Sequence, residues 1–245
     1  MRRGQKKKIK YHIKIMEYSP ELAKDYSQKR EAWAETDKVL MDALESLDVR
    51  NKKIVDLGCG EGSHAKMIKE LGADSVIGVD MSEGMIAVAQ EKVGKNSQDI
   101  NFVVADGKCL PIQSESADIV FSNFVLHYFP DAREVFNEIS RVLKDDGYFI
   151  GTFNITDVEE GFEHLYNQKM PIVLGEGDRT VKIENLIKSR HEIEEAMTNA
   201  GLVVKREEEL DHPGANVEEL YEYREHITKR AMLFVLQKIL KKTEK

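Results

Sequence analysis

The stretch Ile54-Val55-Asp56-Leu57-Gly58-Cys59-Gly60-Glu61-Gly62-Ser63-His64 constrains the fold of this chain more than any other. An apolar run of strand type leads through Asp56 into glycines at alternate positions, and helix-favouring residues follow from Ala65 to Leu71. The pattern predicts a strand, a tight loop and a helix start. Glycine at every second position lets the backbone bend sharply and lie directly against a ligand, with its amides and the helix N-terminus pointing at that ligand. The ligand expected there carries a carboxylate or a phosphate.

Spacing separates the nucleotide-type cofactors that use such a loop. The dinucleotide fingerprint is Gly-x-Gly-x-x-Gly, whereas here the third glycine comes one residue early and an acid sits two residues before the first. Asp56-x-Gly58-x-Gly60-x-Gly62 resembles the first motif of the class I S-adenosylmethionine-dependent methyltransferases. Further on, Ser75-Val76-Ile77-Gly78-Val79 ends in Asp80. An acid at the tip of the second strand of a doubly wound sheet is placed to accept both ribose hydroxyls of an adenosine, through charge-assisted bonds. Asn101-Phe102-Val103-Val104-Ala105 ends in Asp106 and Gly107, where the resemblance implies an acid that takes the exocyclic amine of adenine. Ala117 to Tyr128 is similar to the family's fourth-strand segment, which lies beside the methyl donor.

Any one of these acids could simply cap a helix or turn a chain; jointly they carry the resemblance, which covers residues 26 to 237 and is most specific from Lys53 to Asn154. It implies S-adenosyl-L-methionine as cofactor and S-adenosyl-L-homocysteine as product. The cofactor residues it implies are Asp56, Gly58, Cys59, Gly60, Gly62, Asp80, Met81, Asp106, Gly107, Asn123 and Tyr26. Asp56 is expected to prop the glycine loop through backbone amides. Tyr26 matches a tyrosine near the methionine end of the cofactor, with plain packing as the alternative.

The 245 residues suffice for one sizeable α/β domain with a small appended element. With 41% hydrophobic and 33% charged residues and no run long enough to span a bilayer, a soluble cytoplasmic protein without membrane association is expected. Two cysteines, Cys59 and Cys109, lack metal or redox spacing, and no metal is expected. Net charge is −8, yet residues 1–15 hold seven Lys or Arg and no acid. That basic leader is open to three readings: a disordered nucleic-acid or membrane-surface arm, a targeting segment, or sequence upstream of the true start.

The fold expected is α/β: a Rossmann-like, doubly wound seven-stranded sheet, mostly parallel with one antiparallel strand, helices on both faces, N-terminal helices and a lid insertion. Its parts are the disordered leader (1–15), an N-terminal helical cap (16–50), a cofactor-binding core (51–154), an acceptor-selecting lid (155–188) and the rest of the same domain (189–245). Strands are predicted at 53–57, 75–80, 101–106, 117–123 and 147–154, and helices near 63–71, 83–94 and 131–143. Ser82 reads as an N-cap, Asp145-Asp146-Gly147 as the turn into the fifth strand, and Ser189-x-x-Glu192 as a capping box. The sixth strand is expected at 202–206 and a polar crossover at 207–230. Ala231 to Leu236 reads as a seventh strand, inserted antiparallel between the fifth and sixth, with a C-terminal helix as the alternative.

A sulfonium methyl donor is already activated, so a proton acceptor on the acceptor side is sought rather than a nucleophilic triad. His127, three residues past Phe124, is the candidate base, the alternative being a structural histidine bonded to a loop carbonyl. His64, opening the first helix, is expected at the surface, with a place lining the cofactor mouth as the alternative; His164 and Tyr166 are expected on an ordinary lid face, with contact to the acceptor as the alternative. Ser122-Asn123-Phe124-Val125 lacks the paired prolines of enzymes that methylate nucleic-acid bases. With the acidic body, this argues against a nucleic-acid substrate and for a small-molecule acceptor, on a monomer or homodimer. An RNA methyltransferase using the basic arm and a non-catalytic cofactor-binding module are the alternatives.

Overall fold

The computed structural model describes residues 34–94, 99–166, 168–174, 181–210 and 227–239. Tyr26 and the basic leader lie outside the described residues. Helix α1 (Ala34–Ser46) precedes a regular alternation: β1 (Lys53–Leu57), α2 (Ser63–Glu70), β2 (Ser75–Asp80), α3 (Glu83–Val93), β3 (Ile100–Val104) and β4 (Ala117–Asn123). A 3-10 turn (Leu126–Tyr128) and α4 (Ala132–Val142) lead into β5 (Leu143–Val158). A second 3-10 turn (Glu163–Leu165) is followed by β6 (Lys169–Leu174), β7 (Val181–Leu186), α5 (Arg190–Asn199), β8 (Leu202–Leu210) and β9 (Ile227–Lys238).

Seven strands form one sheet in the order β3-β2-β1-β4-β5-β9-β8, and β6 and β7 form a separate antiparallel hairpin. Strands β1 to β5 run parallel, and β9 is antiparallel to both of its neighbours, between β5 and β8. The seven-stranded Rossmann-like sheet is the one expected. Strand alternation divides its core in two. Val55, Val120 and Phe149 point to the face covered by α4 and α5, where they join Phe136, Ile139 and Met197. Their neighbours Ile54, Ile119, Phe121 and Ile150 point to the other face, under α1 and α2, with Leu40, Leu44 and Ile68. Both faces are buried, so the strands read as near-continuous apolar runs.

Helix starts follow the capping rules. Ser82 accepts the Met85 amide at 3.2 Å and Ser189 the Glu192 amide at 3.1 Å. Strand limits depart from expectation where pairing extends them. β5 is bonded on both sides, so it runs from Leu143 to Val158 rather than over 147–154, and takes the first residues of the expected lid. The Asp145-Asp146-Gly147 turn becomes an irregularity inside it: pairing jumps from Ala117↔Leu143 to Ile119↔Tyr148 around Asp146 at φ 60°. The expected polar crossover is likewise shortened at both ends. Glu207 to Leu210 continue β8, and Ile227 to Arg230 begin β9. Charge is tolerated there because β8 is an edge strand, exposed over most of its length. β9 also settles the choice at the C-terminal run, which is a strand and not a helix.

Candidate active site

The carboxyl ends of β1, β2, β3 and β4 meet on one edge of the sheet, where ligands bind in open α/β folds. The loop after β1 is held by β2: the Gly58 and Cys59 amides donate to the Val79 carbonyl at 2.7 and 3.0 Å. The Gly60 amide donates to Asp80 Oδ2 at 3.0 Å, and the Ser82 amide to Asp80 Oδ1 at 2.9 Å. Support expected from Asp56 thus comes, at these three loop amides, from Val79 and Asp80; Asp56 itself is buried on β1.

Two glycines of the loop explain its shape. Gly58, at φ 73°, has Val125 so close that a Cβ would lie 2.2 Å from Cγ2. Gly60, at φ 52°, faces open space, with nothing within 4 Å of where a Cβ would stand. The first glycine allows packing, and the second leaves a bare backbone cradle. Beside the cradle stand the half-buried Asp80 and the 46% exposed Met81. Burial pushes the Asp80 carboxyl above its usual range, while the Ser82 and Gly60 amides work to lower it. Each Asp80 oxygen keeps lone-pair capacity for a ribose hydroxyl.

The Ala105 amide donates to the Asp80 carbonyl at 3.0 Å and brings the end of β3, with Asp106, alongside. The Asp106 side chain is 46% exposed, and its Oδ1 accepts the Lys108 amide at 3.0 Å. Gly107 is buried, where a Cβ would lie 2.7 Å from Phe129. An adenosine fits this edge: bare backbone at Gly60, a carboxylate for the ribose, an exposed apolar side chain for a ring face and a second carboxylate for an amine. Cys59 is not a nucleophile here, since burial pushes its thiol far up.

The exit of β4 is the strained part of the site. Phe124 adopts φ 53°, and its amide donates to Thr152 O at 2.9 Å and Thr152 Oγ1 at 3.1 Å. The Thr152 hydroxyl in turn donates to Asn123 Oδ1. The Asn123 amide nitrogen lies 3.4 Å from His64 Nε2, and that nitrogen lies 2.8 Å from Asp37 Oδ1. Contrary to the surface position expected, the His64 side chain is only 14% exposed, and Asp37 11%. The cause is α1, which packs on this face and brings a carboxylate to the imidazole. His127 stands in the 3-10 turn, 3% exposed, its ring 4.3 Å from that of Tyr128 and 6.4 Å from that of Phe124. His164 is exposed and 6.1 Å from Phe162, ring to ring. The structure therefore joins the loop glycines, Asp80, Met81, Asp106 and Asn123 along one edge, and adds Asp37, His64 and Thr152. No three His, Cys, Asp or Glu side chains among the described residues are grouped to hold a metal ion.

Residues 55–151 match the methyltransferase domain family. Over 144 residues the chain is 31% identical to malonyl-[acyl-carrier protein] O-methyltransferase of Marinomonas sp. (strain MWYL1), covering 56% of this chain and 53% of that protein. It is 38% identical over 97 residues to arsenite methyltransferase of Halobacterium salinarum, covering 38% of this chain and 25% of that one. The chain thus spans about half or less of the length of these curated relatives. In fold it is similar to geranyl diphosphate C-methyltransferase from Streptomyces coelicolor A3(2), solved with Mg2+, geranyl diphosphate and S-adenosyl-L-homocysteine. That likeness has a TM-score of 0.62 at 17% identity and covers 82% of this chain and 76% of the other.

The sheet order and the loop after β1 make a Rossmann-like α/β domain with a bare backbone cradle at Gly60. Over residues 55–151 the chain carries a methyltransferase domain, and the cofactor of this domain is S-adenosyl-L-methionine. No described helix is long and apolar enough to cross a membrane.

Proposed function

We propose that the protein transfers a methyl group to an oxygen, nitrogen or carbon nucleophile of a small-molecule acceptor. The observation that carries this reading is the bare cradle at Gly60, flanked by Asp80, Met81 and Asp106 on the edge where β4 also ends. When bound, the cofactor supplies an electrophilic methyl on a sulfonium. The chain's task is then to orient and to exclude water: proximity and alignment contribute on the order of 7–11 kcal/mol in well-aligned reactions. Asp80 fixes the ribose, Asp106 the adenine amine, and the rigid Asn123-Phe124 exit forms the wall facing the methyl. The relatives support a small acceptor, their names giving a carrier-bound malonyl group, arsenite and geranyl diphosphate. The β6–β7 hairpin, which packs against the 3-10 turn after β4, supports a cover that selects the acceptor. His127 is buried in that turn with its ring beside those of Tyr128 and Phe124, which favours the structural alternative over the base.

The test has two parts. Calorimetric titration with S-adenosylhomocysteine should give micromolar binding. Radiolabelled methyl from S-adenosylmethionine should then pass to at least one member of a panel of oxygen (catechol, phenol, carboxylic acid), nitrogen (amine, imidazole) and carbon (allylic diphosphate) acceptors. A folded protein that binds the cofactor product and methylates none of them would overturn the small-molecule reading.

A further inference from the structure

His64 and Asp37 come from elements 27 positions apart in sequence and meet in a 2.8 Å hydrogen bond at the mouth of the glycine loop. An ionised carboxylate can only accept, so Nε2 carries the ring hydrogen and Nδ1 is left with the lone pair. No hydrogen bond to Nδ1 is present among the described residues. The ring also packs against Phe121, the two centroids 5.2 Å apart. One position before Asp37, Thr36 is 3% exposed, with a buried Oγ1 that has no hydrogen-bond partner. A carboxylate that sets the tautomer and an imidazole whose second nitrogen has no hydrogen bond among the described residues form a proton-accepting arrangement. It stands between the loop that cradles the cofactor and the β4 exit that faces the methyl.

We propose that His64, oriented by Asp37, is the acceptor-side general base of this enzyme. The inference rests on the methyl-transfer reading above. As the acceptor's oxygen or nitrogen takes the methyl, its proton passes to His64 Nδ1, and the electron pair of the broken carbon–sulfur bond stays on sulfur. The imidazolium so formed keeps its Nε2 hydrogen on Asp37, whose negative charge it then balances. Among the described residues, Asp37 is the titratable group in hydrogen-bond contact with the ring; Phe121 and Asn123 of β4 and Thr152 of β5 carry no charge. On the loop itself, Glu61 is engaged by Lys92 and Ser63. His64 is the catalytic residue, and Asp37 acts through it as a positioning residue.

The experiment compares the full-length wild type with His64→Gln and Asp37→Asn. Nitrogen-15 NMR of the imidazole, which needs no acceptor, should show the Nε2-H tautomer in the wild type and a mixture in Asp37→Asn. With the panel probe that accepts methyl, His64→Gln should lower kcat by roughly 10²-fold or more. It should also remove the rising limb of the pH profile, with S-adenosylhomocysteine affinity within twofold of wild type. Full kcat and an unchanged pH profile in His64→Gln would overturn the assignment, as would an Nδ1-H tautomer in the wild type. A wild type that binds S-adenosylhomocysteine but methylates no probe would instead overturn the transfer reading, and the base with it.

Discussion

Asp80 serves two purposes with one carboxylate. It ties Gly60 and Ser82 to the end of β2 and presents its remaining lone pairs to the ligand. Burial raises its pKa, so its charge costs stability at neutral pH; that stability returns as pH falls through the raised value and is complete below the ordinary 3.8. Asp80→Asn removes that buried charge but sets an NH2 donor against one of the two backbone amides, so it is expected to lower the melting temperature at pH 7 modestly while weakening S-adenosylhomocysteine binding roughly tenfold to a hundredfold. Scanning calorimetry and titration on the same sample check both halves. The two loop glycines make a sharper pair. Gly58→Ala drives a methyl into Val125 at a left-handed residue and should cost about 3 kcal/mol in urea unfolding. Gly60→Ala meets nothing and should cost about 1 kcal/mol, yet its methyl occupies the cradle and should abolish cofactor binding. Equal loss of stability in both would mean that the open space at Gly60 is not a ligand cradle. These glycines were legible in sequence because a motif spacing records backbone shape. His64 was legible only as the weaker of two readings, because its burial depends on a carboxylate that only the packing of α1 brings near.

Among the elements, the segment between β3 and β4 has no regular structure and depends on α4. Arg141 donates to Leu110 O, Ile112 O and Ser114 Oγ, and to both oxygens of Glu138, which itself accepts the Leu110 amide at 2.6 Å. Arg141→Ala should cost about 2 kcal/mol and loosen residues 108–115 in hydrogen exchange, because it leaves several acceptors without donors. The Arg141 guanidinium holds the Glu138 carboxyl below its ordinary 4.5. The stability this gives is present above pH 4.5 and is lost as pH falls through the depressed value, so the gap between wild type and variant should narrow in acid while the share from the Leu110, Ile112 and Ser114 bonds remains. Strand positions from β1 to β4 were legible to within two residues, since their apolar runs end at glycine or aspartate. The C-terminal run was also read correctly as the inserted antiparallel strand, though a helix stayed open as the alternative, because Ala231 to Leu236 is buried on both faces and a continuous apolar stretch fits either period. The αL turn at Phe124 left no trace: a bulky residue at positive φ is imposed by Thr152 across the sheet, not by local preference.

Across the whole molecule, two helical layers enclose one sheet, and the ring pair Phe153 and Phe234 joins the parallel part to the antiparallel end. Their centroids are 4.9 Å apart and their planes within 8°, and both side chains are fully buried. Phe234→Ala should cost about 3–5 kcal/mol, read as a shift of the urea midpoint with little change in cofactor affinity in the folded fraction, since the cradle belongs to β1 to β4. A collapse of affinity as well would mean that the two ends of the sheet are coupled. The strand order also has a consequence for synthesis. Every cradle and dyad residue lies between positions 37 and 152, so the site is on the emerging chain long before Ile227. Yet β5 waits for β9, the last described strand, to cover its open edge, and β8 has no other neighbour. A nascent chain stalled before β9 would carry a finished nucleoside cradle beside an unpaired apolar strand edge, ready to bind ligand and ready to aggregate. Free cofactor present during translation would then act as a folding chaperone, holding the amino-terminal half in place until its last strand arrives.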